Sequence, residues 1–420
     1  MAREVWIMLD LKPYRDALAL PGLRPLLLVA ILARVPVAAT AVVMTLHVLD
    51  LGHGYFAAGL VGTAMTVGSA LGAPLLGRLV DRRGLRPMLL LTTAVEALFW
   101  AMAPVLPYPV LIGAAFVGGL LTLPVFSVVR QSIAALVPPI QRRQAYALDS
   151  MSVELSFMIG PAVAVALATS VSPTLAMYAV GGGIVLAGLT LLVLDPPTRA
   201  RDEETTSAQP LPRRQWLTPR LIGLLAGGAA STLVIAGTDV TVVAVLRDAG
   251  QVDWTGVVLA LWASYSLVGG FTYGALSRPV LSLSLTLVLG LVTVPVGLGS
   301  GEWWLLALVL LPSGALTAPT VAATTDAVSR LVPASARGEA MGMHGSAMTV
   351  GLALGAPLAG AVIDASAPAW GFAATGLLGA LIALAVLPAE LRHRRSDATE
   401  PTITPTAGPM PESAPVRTSL

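Results

Sequence analysis

The sequence predicts an all-α membrane protein with twelve transmembrane helices arranged as two pseudo-symmetric six-helix bundles. Three observations predict it: an apolar composition, twelve runs of membrane-spanning length, and an internal repeat relating the first six runs to the last six. Hydrophobic residues make up 55% of the 420-residue chain and charged residues 11%, whereas a soluble domain carries about 25% charged residues. Such a chain requires the bilayer as its solvent.

The runs, each roughly 20 residues and long enough to cross a bilayer core as a helix, span 25–48, 55–76, 87–106, 108–130, 146–170 and 172–194 in the first half. In the second half they span 220–245, 254–276, 280–299, 303–325, 340–363 and 369–388. Pro36, Pro124, Pro161, Pro312 and Pro319 fall inside runs, where neighbouring helices can satisfy the carbonyls they free. All but two of the 25 lysines and arginines lie in the terminal segments and alternate loops; the exceptions are Arg34, inside the first run, and Arg247. By the positive-inside rule that face is cytoplasmic and carries both termini. Trp100, Trp254, Trp303, Trp304 and Trp370 fall near the opposite ends, as an interfacial belt would.

These counts divide the chain into a cytoplasmic N-terminal segment 1–24, a bundle 25–194, a flexible cytoplasmic linker 195–217, a second bundle 218–388 and a disordered tail 389–420. At an offset of 197, Gly59, Ser69, Gly72, Gly77 and Leu79 meet Gly256, Ser266, Gly269, Gly274 and Leu276. At an offset of 195, Pro124, Leu136-Val137-Pro138, Arg142, Ala145 and Gly160 meet Pro319, Leu331-Val332-Pro333, Arg337, Ala340 and Gly355. Two parallel halves of this kind can rock about a central site.

Between the second and third runs lies Gly77-Arg78-Leu79-Val80-Asp81-Arg82-Arg83-Gly84-Leu85-Arg86. Gly77 removes a side chain where a helix end must approach a neighbour, Gly84 permits a positive φ in the reversal, and Asp81 can accept from unpaired N–H groups at a helix start. The loop resembles the signature Gly-x-Leu-x-Asp-Arg-x-Gly-Arg-Lys of major facilitator superfamily transporters. Gly77, Leu79, Asp81, Arg82, Gly84 and Arg86 match, Arg86 replaces the lysine, and Leu85 departs from the pattern. The second copy, Gly274-Ala275-Leu276-Ser277-Arg278, lacks the aspartate.

Four ionisable residues lie well inside the runs: Arg34, Glu96, Glu154 and Asp239. A charge at bilayer centre costs about 2.5–3.5 kcal/mol on insertion scales, so each should face protein or water. The first three share a depth of roughly 12–15 Å. Because the first and fifth helices pack together in the family resembled, an Arg34–Glu154 pair is expected, with Glu96 sharing the guanidinium. Glu154 is then a structural ion pair or a gate, and unpaired Asp239 is a proton or cation site or a solvated structural acid. Arg130, Arg142 and Arg143 flank one loop and read as anchors to lipid phosphates, with a partnership to Asp81 as the sharper alternative.

Gly160-Pro161 resembles part of the antiporter signature Gly-x8-Gly-x3-Gly-Pro-x2-Gly-Gly of the exporter branch, with Ala147, Ser156, Ala164 and Val165 at the other positions. Small residues there let two helices pack closely. The cavity helices implied by the resemblance place Met44, Phe116, Phe126, Ser313 and Thr317 among candidate substrate contacts.

The chain lacks cysteine, and His47, His53, His344 and His393 form no metal-ligand spacing. No nucleotide-binding Gly-x4-Gly-Lys-Ser/Thr loop appears. No metal, cofactor or enzymatic activity is expected, and a net charge of +2 gives no reason to expect nucleic acid. The resemblance implies a monomeric, proton-coupled exporter of a small hydrophobic compound in the inner or plasma membrane. An importer of a sugar or other metabolite, and a non-transporting sensor or scaffold, are the alternatives.

Overall fold

A computed structural model describes residues 12–199, 212–276 and 280–399. The helices are α1 (Lys12–Leu18), α2 (Leu23–Asp50), α3 (Tyr55–Arg83), α4 (Leu85–Met102), α5 (Tyr108–Leu120), α6 (Val125–Leu136), α7 (Arg142–Ser170) and α8 (Pro173–Leu194) in the first half. After α9 (Arg213–Trp216) come α10 (Pro219–Asp248), α11 (Thr255–Ala275), α12 (Ser282–Thr293), α13 (Trp303–Val309), α14 (Leu311–Leu331), α15 (Arg337–Ala365) and α16 (Trp370–Thr399). Among the described residues, eleven spans are long and apolar enough to cross a membrane, and α13 with α14, bent by 43°, makes a twelfth when taken as one span. Helices satisfy their own backbone groups, which lipid cannot do. Their lipid faces show side chains such as Leu32 and Leu186, 72% and 65% exposed.

Two expectations about boundaries change. The last helix runs through Thr399, beyond the expected limit at 388, because buried Glu390 accepts from Ser282 Oγ at 3.2 Å and Leu283 N at 3.3 Å and so caps α12. Asp195 meets Arg86 at 2.8 Å in the corresponding place of the first half. The linker is ordered at 212–217, where α9 buries Trp216. Pro36, Pro161 and Pro319 sit inside continuous helices. Pro124 instead follows a break between α5 and α6, and Pro312 opens α14 just after its bend. Residues 1–11, 200–211, 277–279 and 400–420, which include Ser277, Arg278 and most of the expected tail, lie outside the described residues.

The internal repeat is visible in the packing. In the first half α2 packs on α7 and α8, α3 on α5, and α4 on α8; in the second, α10 packs on α15 and α16, α11 on α14, and α12 on α16. The repeated glycines lie at equivalent close approaches. A Cβ on Gly72 would stand 1.9 Å from the Leu120 carbonyl oxygen, and one on Gly269 1.8 Å from that of Ala315. Likewise a Cβ on Gly160 would meet the Val35 carbonyl at 2.5 Å, and one on Gly355 that of Leu233 at 2.3 Å. The glycines therefore bring helix backbones together where no other residue fits. Gly160, with Pro161 following it inside α7, serves the close packing of α2 on α7 that the sequence suggested.

Gly269→Val should therefore lower the melting temperature of the purified protein, the overpacking costing at least about 1–3 kcal/mol. Gly360→Ala, whose Cβ would meet nothing within 4 Å, should leave it nearly unchanged.

Candidate functional site

The two halves meet along α3 with α15 and along α7 with α11. Among the described residues, every hydrogen bond between them falls at mid-helix or toward the arginine-rich side. Ser346 Oγ donates to the Ala70 carbonyl at 2.6 Å and Ser266 Oγ to Glu154 Oε1 at 2.8 Å. The Tyr14 hydroxyl donates to the Phe271 carbonyl, its ring stacked on Phe271 with centroids 4.8 Å apart. Arg143 donates to the Leu276 carbonyl and Arg330 to that of Pro139. The hydrogen bonds between the halves are thus gathered at mid-helix and on one side, where they form a seal.

Asp81 fastens the seal. Its Oδ1 accepts from Gly338 N at 2.9 Å and its Oδ2 from Glu339 N at 2.7 Å, in the first turn of α15. Those N–H groups have no intrahelical partner and sit at the positive end of the helix dipole, so a carboxylate suits them. The approach requires Gly77, whose Cβ would lie 2.1 Å from the Gly338 carbonyl, while Gly84 at φ 83° ends α3. Gln131, not an arginine, supplies a further side-chain donor to Asp81, at 3.4 Å. Glu339 binds Arg78 at 3.2 Å and Arg213 of α9. Arg78, Asp81, Arg82, Trp216 and Glu339 line a cavity of about 140 Å³, and Arg82 is exposed at its edge.

The predicted Arg34–Glu154 pair does not form. Arg34, fully buried, binds Asp149 Oδ1 at 2.6 Å and Ser152 Oγ at 2.6 Å. Arg130 takes the other oxygen, Nε to Oδ2 at 3.3 Å. On α7 the face toward α2 carries Asp149, Ser152, Ser156 and Gly160; Glu154 lies about 140° round from Asp149. Asp149 lies near the start of the fifth run, 146–170, and so is not among the ionisable residues placed well inside the runs. Its helical spacing to Gly160 was the available signal. Arg130 is therefore an interior residue and not a lipid anchor, and Arg142 closes the end of α6 by donating to the Val137 and Ala134 carbonyls.

Glu96 is likewise not shared with Arg34. It accepts from Trp100 Nε1 at 2.9 Å, Thr122 Oγ1 at 2.5 Å and Leu123 N at 3.2 Å, binding the break before Pro124. Trp100 is accordingly buried rather than part of an interfacial belt, whereas Trp254 and Trp303 stack at 4.2 Å. Glu154 and Asp239 remain: they come from opposite halves, within electrostatic reach of one another, with Asp239 exposed. Of the cavity candidates, Phe126 lies 4.9 Å from the Arg34 guanidinium. Met44 is in the apolar core of the first bundle. Ser313 and Thr317 are buried, their hydroxyls donating to carbonyls of their own helix. Phe116 is partly exposed on α5.

The family model described as Major Facilitator Superfamily matches residues 26–282 and 273–417. The chain belongs to that superfamily, and is a transmembrane transporter rather than an enzyme. No curated protein matches it. Among solved structures, it is similar to the human organic anion transporter MFSD10 (TETRAN), at 19% identity and a TM-score of 0.70 over 87% of this chain and 100% of that one. A bacterial homologue of the iron transporter ferroportin in its outward-facing state aligns at 16% identity and 0.69, covering 88% and 100%. The proton:xylose symporter XylE aligns at 15% and 0.64, covering 87% and 95%. At these identities the likeness is one of fold.

Asp149→Asn should destabilise the purified protein by about 3–5 kcal/mol, because it leaves two buried arginines uncompensated. Glu154→Gln, which keeps a partner for Ser266, should cost far less in the same melting experiment. Asp81→Asn should weaken the seal by about 1.5–3 kcal/mol, the worth of charge-assisted hydrogen bonds. Spin labels at the arginine-rich ends of α3 and α15 should then show a longer-distance population absent from the wild type.

Proposed function

We propose that the protein is a secondary active transporter of the cell membrane, with its arginine-rich side cytoplasmic, that exports a small hydrophobic organic compound in exchange for protons. The seal at Asp81 then closes the cytoplasmic side, and in this reading a cleft between the halves opens outward. Alternating access consists of breaking that seal while the two halves close on the other side.

The observation that carries this reading is the pair of carboxylates, Glu154 and Asp239, which come from opposite halves within electrostatic reach of one another, with no arginine or lysine bonded to either among the described residues. An acid inside a membrane with no basic partner is neutralised at least cost by a proton. One that is reached from alternate sides in turn can carry it. The close packing of α2 on α7 about Gly160 favours the exporter branch, whose signature this segment resembles. The few charges reaching the cleft favour an apolar cargo.

In inverted vesicles loaded with the wild-type chain, lipophilic dyes should accumulate when the lumen is acid and stop when the gradient is collapsed. Asp239→Asn should reduce the gradient-dependent rate by about tenfold or more. Accumulation that ignores the gradient, or that survives intact in Asp239→Asn, would remove the acid from the coupling mechanism.

A further inference from the structure

The cluster around Asp149 carries a charge surplus. Two guanidinium groups, Arg34 and Arg130, share one carboxylate, and among the described residues no second carboxylate bonds to either. Arg34 spends its Nη atoms on Asp149 and Ser152. Arg130 spends Nε on Asp149, and its Nη1 reaches only the sulfur of Met348, at 3.4 Å. A thioether is a weak acceptor, and a guanidinium in a dry interior normally ends on a carboxylate, carbonyl or water. Arg130 thus has donor capacity pointed across the interface that no group among the described residues fully uses.

His344 is the second, independent sign. It is wholly buried, and neither ring nitrogen has a hydrogen-bond partner. Buried polar atoms without partners are few in native structures and call for an explanation. The ring is fixed against Gly228 of α10, where a Cβ would stand 3.1 Å from Nε2, and lies within electrostatic reach of Arg130. His344 and Met348 are one turn apart on α15, while Arg130 comes from α6 of the other half. Ser346, between them, makes the outermost hydrogen bond of the α3–α15 seal. This group therefore sits at the interface between the halves, beside the last hydrogen bond of that seal.

We propose that Arg130 and His344, with Met348 as an apolar wall, form a subsite at the interface between the halves that takes the anionic head, a carboxylate or sulfonate, of an otherwise apolar cargo. The inference rests on the transporter reading and names its cargo class. An oxyanion there completes the coordination of Arg130, accepts from an N–H of His344 and neutralises the surplus charge. Its contacts come from both halves, so its arrival and departure alter the interface that must rearrange during transport. Export suits such a cargo, because an anion leaves a cell of negative interior along the potential.

The test is equilibrium binding of three matched probes to the purified full-length chain in lipid nanodiscs: 2-naphthoate, the uncharged 2-naphthamide, and (2-naphthylmethyl)trimethylammonium. Saturable binding of naphthoate is expected, at least about tenfold tighter than that of the other two, as a charge-assisted pair demands. His344→Leu and Arg130→Gln, each shown to be folded by monodisperse elution and its melting curve, should lose that preference, and Arg130→Lys should restore part of it. Equal binding of all three probes, preference for the ammonium, no binding, or an undiminished preference in folded His344→Leu would overturn the proposal. Proton-driven dye uptake without competition by naphthoate would overturn this inference and leave the exporter reading standing. Naphthoate binding with no proton-driven transport would do the reverse.

Discussion

The arrangement of the two halves depends on the approach of α3 to α15, which lets a carboxylate at the end of one helix reach the start of the other. Glycines at 77 and 338 allow it: a Cβ on either would fall 2.1 to 2.6 Å from a carbonyl oxygen of the facing helix. Asp81 then receives two backbone N–H groups that otherwise have no partner. The contact is strong and also local, since the dipole contribution fades within a turn. A small separation of the helices removes all of it. The repeat-related contact, α7 against α11, is built differently. Gly274 retains the close packing, but its Cβ would meet the Tyr14 hydroxyl at 2.0 Å, and Tyr14 and Arg143 supply bonds to backbone carbonyls in place of an acid. The fold is symmetric in its backbone packing and asymmetric in the chemistry of its two seals.

Buried charge is used in two distinct ways. Glu96 is consumed locally: three donors surround it, and its work is to hold the break between α5 and α6 where Pro124 interrupts the helical hydrogen bonding. The Arg34, Asp149 and Arg130 cluster is not balanced in that way. Burying three ionised groups carries a desolvation cost that a single shared carboxylate offsets only in part. A structural tie between α2 and α7 would need one arginine. The second, aimed at α15, places a charge at the boundary between the halves.

The architecture was legible because it is set by quantities a sequence displays directly. Apolar length decides which segments span, arginine placement decides which ends share a side, and Gly72, Gly160, Gly269 and Gly355 mark backbone approaches that admit nothing larger. Gly77, Asp81 and Gly84 were legible for a similar reason, as each meets a requirement of a helix terminus. The pairing of buried charges was not. Arg34 and Glu154 share a depth, but contact also needs a common helical face, and the face of α7 toward α2 is fixed by Ser156 and Gly160, which select Asp149. Arg130 looked like a loop residue because the fourth apolar run ends at it, whereas α6 continues past it to Leu136. His344 gave no signal: its environment is assembled from α6, α10 and α15, which are brought together only by the packing of the halves.

The linker belongs to the same account. Glu339, whose N–H caps onto Asp81, also binds Arg78 of α3 and Arg213 of α9 through its side chain. α9 is anchored by burial of Trp216 in the apolar cluster formed with Leu221, Leu283 and Val332 of the second half. One residue at the start of α15 therefore joins three segments: the signature loop of the first half, the second half itself, and the chain between them. Arg213 and Glu339 both pack with the second half, whereas the bonds of Glu339 to Arg78 and of its N–H to Asp81 cross to the first. In the alternating access proposed above, parting of the seal would leave Arg213 to satisfy the carboxylate that Arg78 gives up. The linker would thereby lower the cost of exposing Glu339 and stabilise the separated arrangement as well as the sealed one, as a cycle between two states requires.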